Sequence, residues 1–330
     1  MNWETEGADV LVVGGGAAGC RAAVEAAERG LRVILLCKEV FGKAQTLMAS
    51  EGYAGAFARG DSWKGYFRDT LNAGGWINNQ TLVEVLTKES SNRLLELEEH
   101  GTLLDRLPNG DLALRSFSSH ITPRVCTAHD EIGHIIMTTL VEDIRRLQVR
   151  VVEEFYATQL MLKNGVAVGV SGIHIPTGNY VVYLAKATIL ATGGAGRLFE
   201  VTSNSRNSTG DGYALALKAG AHLVDMEMML FHPTAFVYPE SQRGIVISEA
   251  VRVIGGVLHN KNKERFMEKH NSEFKDLAPS SETARAILTE IEDGRTGRHG
   301  GVYLDFSSVD PEDVETFLPH TLTRILEAGF

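Results

Sequence analysis

The first forty residues alternate apolar runs with one long helical segment. Apolar residues run unbroken from Val10 to Val13, the pattern of a parallel strand covered on both faces. The alanine-rich segment Ala17 to Arg29 favours a helix, Gly30 ends it, and Leu31 to Leu36 is typical of a second buried strand. The order predicts a βαβ unit.

Three glycines with G-x-G-x-x-G spacing, Gly14, Gly16 and Gly19, lie between the first strand and the helix. In a dinucleotide-binding turn the first allows the tight turn, the second lets a pyrophosphate approach the backbone, and the third lets helix and strand pack closely. The helix start then offers free N–H groups to the phosphates. A glycine-rich turn without a ligand is the alternative, but the full order of strand, turn, helix and strand favours dinucleotide binding.

The residues themselves leave open which dinucleotide binds. An acidic residue about twenty positions after the glycines would hold a ribose, and Glu39 stands there. The strand end itself, however, carries Cys37 and Lys38.

Further along the chain, apolar spacing predicts helices from Thr81 to His100 and from Ile132 to Leu147. Short β-rich runs between Val149 and Leu190 are separated by turn signals at Asn164-Gly165 and at residues 176–179. They predict an antiparallel meander on the parallel sheet.

A second strand, predicted to be buried, ends in glycines within Ala187 to Arg197 (ATILATGGAGR), where backbone could again pass close to a ligand. Asp211 precedes a predicted helix from Tyr213 to Ala219, and it could either cap this helix or bind a ligand. Beyond His222 the pattern becomes mixed α+β.

Composition narrows the class of protein. With 330 residues and 44% hydrophobic content, the chain can form two modest domains. Its net charge of -10 argues against nucleic acid and against anionic membranes as partners. No apolar run could span a bilayer, and the polar start does not resemble a signal peptide, so we expect a soluble intracellular protein. The three cysteines are far apart and predict no metal or iron–sulfur site.

Many ordered motifs resemble the flavoprotein subunits of succinate dehydrogenase and fumarate reductase, a family that also includes L-aspartate oxidase. The resemblance covers nearly the whole chain. It is carried by GGGAAG (14–19), the Cys37-Lys38 strand end, Thr46 with Glu51-Gly52, Arg124 with Asp130 and Gly133-His134, EFYA (154–157), ATGGAGR (191–197), TGDG (209–212), DMEM (225–228), FHPT (231–234), SEAVRVIGG (248–256) and ERFM (264–267).

The resemblance implies an α/β fold: a Rossmann-type FAD-binding domain with a parallel sheet and a β-meander, interrupted by an α+β capping domain. The FAD-binding domain would occupy residues 1–231, with its closing segment absent, and the capping domain residues 232–330. By motif, the residues expected to contact FAD are Gly14, Gly15, Gly16, Ala17, Ala18, Gly19, Cys37, Lys38, Glu39, Ala44, Gln45, Thr46, Ser50, Glu51, Gly52, Tyr156, Ala157, Thr192, Gly193 and Asp211.

The resemblance also implies chemistry. In the family a dicarboxylate lies between flavin and cap, and a hydride passes between flavin and a substrate carbon. His232 and Ser248 correspond to contacts with substrate carboxylate oxygens, and Glu249 and Arg252 to a proton relay. Judged without the family, Glu249 and Arg252 could equally be a surface pair one helical turn apart.

The chain departs from the family pattern in two substitutions. A histidine that bonds covalently to flavin in the respiratory enzymes is replaced by Gln45, so we expect noncovalent FAD. The Arg-Asp pair that holds the proton-donating arginine is replaced by Ser280 and Ser281. Arg285 could take over only if its helix were rewound, and we keep it as a candidate catalytic residue.

The chain also ends at Phe330, before the segment in which the family carries a later substrate-binding histidine and arginine. Three hypotheses follow: an FAD-dependent oxidoreductase acting on a small dicarboxylate, a flavin-binding relative or subunit without fumarate or succinate activity, or an oxidase resembling L-aspartate oxidase. An iron–sulfur electron-transfer subunit, or a chain that carries the missing half, is the expected partner. The protein would be cytoplasmic, or peripheral on the inner face of a membrane through such a partner.

Overall fold

A computed structural model describes residues 4–117 and 122–329 of the protein. The first three residues of the polar start and Phe330 lie outside these ranges. The strands are β1 (Glu4–Val13), β2 (Val33–Leu36), β3 (Tyr53–Ala54), β4 (Leu114–Arg115), β5 (Val125–Cys126), β6 (Arg150–Val152), β7 (Phe155–Lys163), β8 (Val166–His174), β9 (Asn179–Leu190), β10 (Val257–His259) and β11 (Tyr303–Asp305). The helices are α1 (Ala17–Glu28), α2 (Trp63–Ala73), α3 (Gln80–Glu99), α4 (Ile132–Arg146), α5 (Asp211–Lys218), α6 (Ala250–Val253), α7 (Met267–His270), α8 (Ser280–Glu292), α9 (Pro311–Phe317) and α10 (Pro319–Glu327).

The chain divides into two compact units. Unit 1 comprises residues 1–48 and 133–229, and unit 2 comprises residues 49–132 and 230–330. The chain passes from unit 1 to unit 2 for the second time after residue 229, two residues before the expected domain boundary at residue 231. Residues 49–132, which the resemblance assigns to the FAD-binding domain, belong to the same compact unit as the C-terminal segment, and the domain assignment stays a prediction.

Unit 1 is built on one sheet with strand order β6-β2-β1-β9-β8-β7. β6, β2, β1 and β9 run parallel to one another, with Val10 opposite both Val33 and Ala187. β9 pairs antiparallel with β8, and β8 with β7, so these three strands form an antiparallel meander. Apolar residues of β1 and β2 are buried together with Phe155 and Tyr183, whose rings meet edge to face. The predicted α/β fold, with parallel sheet and meander, is confirmed.

β9 differs from the sequence-based expectation. The pattern presents the end of the meander and the strand before the second glycine run as separate features, yet one twelve-residue strand provides both. Its second half is also less buried than the apolar pattern predicts, because Leu184, Ile189 and Leu190 remain 41%, 38% and 36% exposed.

Unit 2 contains small sheets and short helices around two apolar clusters. β3, β5 and β4 form an antiparallel sheet, and β10 pairs with β11. One cluster surrounds Val251 and Leu318, and the other surrounds Phe266 and Met267. Across the described ranges, no helix combines the length and apolar character needed to cross a membrane. The same ranges contain no group of three or more His, Cys, Asp or Glu side chains arranged to hold a metal ion.

A buried ion cluster ties together the first half of unit 2. Arg124 is 1% exposed, and its guanidinium binds both carboxylate oxygens of Asp61 at 2.6 and 2.8 Å and one oxygen of Asp69 at 2.5 Å. The guanidinium also lies over the Tyr66 ring, 5.4 Å from its centroid. The cluster joins β5 to α2 and to the loop that precedes α2.

We expect Arg124→Met to destabilise the protein by about 3–5 kcal/mol, because the substitution leaves two buried carboxylates without their cation. Chemical denaturation monitored by circular dichroism measures the change. The matched control is Arg145→Met, whose side chain is 67% exposed and forms an ion pair with the nearby Glu142. The control should change the free energy of unfolding by less than about 1 kcal/mol. If the two variants lowered the free energy of unfolding equally, the Arg124 cluster would stabilise the protein no more than an exposed ion pair does.

Candidate functional site

A cleft in unit 1 opens at the carboxyl ends of β1, β2 and β9 and has a volume of about 470 Å³. This edge of a parallel sheet is where doubly wound folds bind nucleotides. The predicted FAD contacts line the cleft except for Gly19, Ser50, Glu51 and Gly52. Those lining it are Gly14, Gly15, Gly16, Ala17, Ala18, Cys37, Lys38, Glu39, Ala44, Gln45, Thr46, Tyr156, Ala157, Thr192, Gly193 and Asp211.

Two of the three motif glycines are required by the protein's own packing. Gly14 has φ +116°, and a Cβ added there would lie 2.2 Å from the carbonyl oxygen of Ala191 at the end of β9. A Cβ on Gly19 would lie 1.8 Å from the carbonyl oxygen of Gly14, which explains why Gly19 sits beneath the turn rather than in the cleft. These glycines bring β1, β9 and α1 together.

Gly16 is different, because a Cβ at this position would require only a slight shift of the Thr46 side chain. Its backbone has φ -81° and ψ -177°, which any residue adopts, and an added Cβ would meet nothing closer than Thr46 Oγ1 at 3.3 Å. The missing Cβ therefore leaves the backbone open toward the cleft at the start of α1. An anionic phosphate fits this place, since helix N–H groups and the helix dipole favour it.

Thr46 contributes to the same end of α1. Its Oγ1 accepts a hydrogen bond from the N–H of Ala17 at 3.1 Å, so the predicted contact residue holds the 44–46 loop against the helix start. Gln45, the neighbouring residue, accepts the N–H of Ser205 through Oε1 at 2.5 Å. Its amide is thus engaged with the loop before α5.

Lys38 and Asp211 meet across the cleft wall. The Lys38 Nζ lies 2.5 Å from Asp211 Oδ2 and 2.6 Å from Thr209 Oγ1, and Thr209 donates to Asp211 Oδ1 at 2.9 Å. Asp211 is the first residue of α5, and Gly210 occupies the cap position without a side-chain bond. Of the two roles considered for Asp211, capping is therefore not the one that its carboxylate performs.

Cys37 fills the space next to Gly15. A Cβ on Gly15 would lie 2.4 Å from Cys37 Sγ, so the thiol occupies the volume that a side chain at position 15 would need. Burial raises the pKa of Cys37 to about 12. The thiol is therefore protonated at neutral pH and acts as packing material in the cleft floor.

Sequence reasoning missed a further part of the cleft. The loop before α5 contributes Ser205, Asn207 and Ser208 to the lining. Their position could have indicated this role. They are small polar residues that lie between two glycine-rich motifs, ATGGAGR and TGDG, both of which were expected to contact the ligand.

Unit 2 brings together a second group of predicted site residues. Ser50, Glu51 and Gly52 belong to this unit rather than to the cleft of unit 1. Glu51 Oε1 lies 3.0 Å from His232 Nε2 and accepts the backbone N–H of Glu249 at 3.2 Å. Burial raises the pKa of Glu51, but the hydrogen bonds from His232 and Glu249 and the charge of Arg252 outweigh burial and lower it.

Glu249 is the centre of this group and is 4% exposed. Its Oε2 accepts a hydrogen bond from Ser280 Oγ at 3.3 Å and lies 3.5 Å from Arg252 Nη2. Glu249 and Arg252 are therefore a buried pair and not the surface pair that local spacing also allowed. We refer to Glu51, His232, Glu249, Arg252, Asp276 and Ser280 as the polar cluster.

Arg252 is held from its other side by Asp276. Arg252 Nη1 donates to the carbonyl oxygen of Asp276 at 2.5 Å, and the Asp276 carboxylate accepts Arg265 Nε at 2.7 Å. Burial lowers the pKa of Arg252, against the charges of Glu249, Asp276 and Glu51, which raise it. The Arg252 side chain is wholly enclosed, so its charge acts on Glu249 rather than on solvent.

Two predicted catalytic residues, Ser248 and Arg285, are not part of the polar cluster. Ser248 is 1% exposed, and its Oγ accepts the N–H of Ala250 at the start of α6. Arg285 is exposed, and its Nε donates to the carbonyl oxygen of Ser281 on the same helix. Five residues along an α-helix turn the side chain by about 140°, so Arg285 does not join Ser280 in the polar cluster.

The glycine turn, the phosphate-accepting helix start and the cleft together define a dinucleotide-binding flavoprotein fold. Comparison with known protein families gives a match between residues 9–328 and the FAD binding domain family. The chain therefore belongs to the FAD-binding domain family, and its relatives there include flavoprotein subunits of fumarate reductase and succinate dehydrogenase. FAD is its cofactor.

Curated relatives give the degree of similarity. The chain is 43% identical to one component of the CoM/CoB fumarate reductase of Methanothermobacter marburgensis, covering 100% of this chain and 61% of the relative. It is 35% identical to the succinate dehydrogenase flavoprotein subunit of Rickettsia bellii, covering 94% and 54%. The chain thus spans little more than half the length of these relatives.

Solved structures agree with this assignment. An E. coli quinol fumarate reductase superimposes with a TM-score of 0.91 at 29% identity, over 98% of this chain and 57% of that chain. A quinol-fumarate reductase determined with menaquinol gives a TM-score of 0.92 at 28% identity, over 99% and 59%.

We expect Gly16→Val to abolish FAD binding while the fold persists, because the side chain would occupy the space through which a pyrophosphate reaches the backbone. Flavin absorbance after reconstitution with FAD and gel filtration measures binding, and circular dichroism checks the fold.

The control for Gly16 is Gly7→Ala in the first half of β1. An added Cβ there meets only the Leu184 carbonyl oxygen, at 4.0 Å. This variant should retain both flavin and fold. If Gly16→Val bound FAD as tightly as the unmodified protein, the phosphates would not lie at the start of α1.

Acid precipitation should release all flavin from the protein. Gln45 has no nucleophilic ring nitrogen, and its amide oxygen accepts a hydrogen bond from the backbone N–H of Ser205. The measurement is the flavin absorbance of supernatant and pellet after trichloroacetic acid treatment. Yellow colour that stays with the polypeptide would contradict noncovalent binding.

Proposed function

We propose that this chain is the flavin-binding part of an oxidoreductase that transfers hydride between noncovalent FAD and a small organic acid. Bound FAD would supply the two-electron donor or acceptor. The observation that carries the proposal is the polar cluster of unit 2, in which buried Glu249 is ion-paired with Arg252 and hydrogen-bonded to half-buried Ser280. Such a group can hold or release a proton next to a substrate.

His232 and Glu51 would orient the substrate side of the cluster. The His232 ring is held from both nitrogens: Nδ1 lies 2.9 Å from the Thr234 carbonyl oxygen and 3.3 Å from the Thr234 nitrogen, and Nε2 lies against Glu51. A ring fixed in this way presents one orientation to a ligand. Glu51 also binds the backbone of Glu249, so it couples the histidine to the acid–base residue.

Arg252 would set the charge of Glu249 without contacting the substrate. Its guanidinium is enclosed and lies 3.5 Å from the Glu249 carboxylate. Asp276 and Arg265 extend the ionic contacts to a side chain that is 37% exposed. Because Arg252 donates to the backbone carbonyl oxygen of Asp276, these contacts anchor its guanidinium beside Glu249.

A second candidate function is favoured by one observation, the serine at position 280. The resembled enzymes have an arginine there as proton donor, and a serine hydroxyl has neither its charge nor its acidity. A flavin-binding subunit that lacks fumarate and succinate chemistry would fit this substitution.

The relatives are named as subunits of larger enzymes, and we propose that this protein also works with an electron-transfer partner. An iron–sulfur subunit would suit the described part of the chain, which has no cysteine cluster of its own. We place the protein in the cytoplasm, free or peripheral to the membrane through that partner.

We expect the 330-residue chain loaded with FAD to show little or no fumarate reductase or succinate dehydrogenase activity with artificial electron donors or acceptors. Losing a positioned general acid typically costs about 10²–10⁴-fold in rate. Robust fumarate turnover by the unmodified chain would show that another group supplies the proton.

The informative variant combines Ser280→Arg with Ser281→Asp, assayed in the chain together with any natural downstream segment. A gain in fumarate turnover would show that the rest of the polar cluster is competent. No gain, with flavin bound and reducible, would favour the non-catalytic candidate.

A further inference from the structure

The charged side chains that line the cleft of unit 1 are, in the part of the chain that the structure describes, Lys38, Glu39, Lys43 and Asp211. Lys38 Nζ lies 2.5 Å from Asp211 Oδ2, so these two charges compensate each other. Glu39 is the acidic residue expected to bind ribose hydroxyl groups. Lys43 is therefore the charged group of the cleft whose role is still open.

The ammonium group of Lys43 has no partner in the protein. Its side chain is exposed, and across residues 4–117 and 122–329 its Nζ forms neither a hydrogen bond nor an ion pair. Lys38 differs, because its Nζ contacts three oxygen atoms, on Asn207, Thr209 and Asp211. FAD carries a negative charge on each of its two phosphates. The cation left unpaired at the cleft is thus Lys43.

The chain places Lys43 beside the start of α1. A Cβ added to Gly16 would lie 3.6 Å from the Cβ of Ala44, the residue after Lys43, and 3.3 Å from Thr46 Oγ1. Thr46 also accepts the N–H of Ala17, the first residue of α1. Consecutive Cα atoms are about 3.8 Å apart, and a lysine side chain has a flexible four-carbon stem. The ammonium group can therefore reach a phosphate at the start of α1.

Two local turns fix the backbone on both sides of Lys43. Its N–H donates to the carbonyl oxygen of Val40 at 3.1 Å, and the carbonyl oxygen of Ala44 accepts the N–H of Leu47 at 3.1 Å. Gly42 has φ +87°, a conformation that favours glycine. The protein itself sets the backbone at position 43, so only the side chain must become ordered when a ligand binds.

We propose that Lys43 binds the diphosphate of FAD and is a positioning residue for the cofactor. The helix N–H groups and the helix dipole give the phosphates their direction. Lys43 adds a full positive charge to them through a charge-assisted hydrogen bond. This inference rests on FAD being the cofactor and is independent of the reaction proposed above. The alternative is a solvated lysine that contributes nothing to FAD binding.

The experiment measures the dissociation constant of FAD by fluorescence titration of the natural full-length protein after its flavin has been removed. Lys43→Met keeps an unbranched side chain and removes the charge. At low ionic strength we expect this variant to bind FAD roughly fivefold to tenfold more weakly than the unmodified protein. The difference should shrink as sodium chloride is added, because salt screens an exposed charge.

Three further variants show whether charge is the cause. Lys43→Arg should keep the dissociation constant within about twofold of the original value, since a guanidinium also pairs with phosphate. Lys43→Glu should weaken binding more than Lys43→Met, because a carboxylate repels the diphosphate. The matched control is Lys218→Met, which removes an exposed lysine in the last turn of α5, outside the cleft lining, and should leave FAD binding unchanged.

ADP tests whether Lys43 acts at the diphosphate, because ADP has two phosphates and no flavin ring. Competition titration should show that Lys43→Met weakens binding of ADP by the same factor as binding of FAD. A loss for FAD without a loss for ADP would place Lys43 at the flavin ring and overturn the proposal.

Two other results would also contradict it. Unchanged FAD binding by Lys43→Met at low salt would show that the lysine is only solvated. A loss that salt does not reduce and that Lys43→Arg shares would show an effect of loop shape instead of charge. Neither result involves turnover, so the proposed hydride transfer would stand. Protein that binds no FAD would overturn the cofactor assignment as well.

Discussion

The close approach of Gly14 to the end of β9 is the contact on which unit 1 depends. Because Gly14 has no side chain, its Cα lies against the carbonyl oxygen of Ala191, where a Cβ would be 2.2 Å away. The two glycine-rich turns, which are far apart in sequence, are thereby joined at one edge of the sheet. The cleft, the start of α1 and the Lys38–Asp211 pair all follow from this junction. A methyl group at position 14 would separate the two turns.

Unit 2 depends on the balance of buried charges rather than on close backbone contact. Arg124 pairs with Asp61 and Asp69 in one half of the unit, and Arg252 lies between the Glu249 carboxylate and the backbone of Asp276 in the other. Buried ions are costly unless they are paired and hydrogen-bonded. Glu51, which contacts both His232 and Glu249, ties the loop that carries it to the second cluster.

Local patterns predicted unit 1 well. The βαβ start, the glycine spacing and the meander all followed from residues within about thirty positions of one another, so periodicity and turn chemistry were sufficient. The contacts that were missed are long-range. Lys38 meets Asp211 across 173 residues, and Glu51 meets His232 across 181. No single-sequence pattern specifies such pairs. The helical phase of Arg285 was readable from the sequence, which allowed it to reach the position of Ser280 only if the helix were rewound, and its side chain is exposed on α8.

The packing of Cys37 against Gly15 has an evolutionary consequence. The sulfur occupies the volume that a methyl group at position 15 would need, so an alanine there requires the Cys37 side chain to move or to become smaller. If residue 37 shrinks first, the change at position 15 fills a cavity, whereas the reverse order passes through a close contact. Among descendants of this sequence the two sites should therefore change together, with the smaller residue at 37 appearing first.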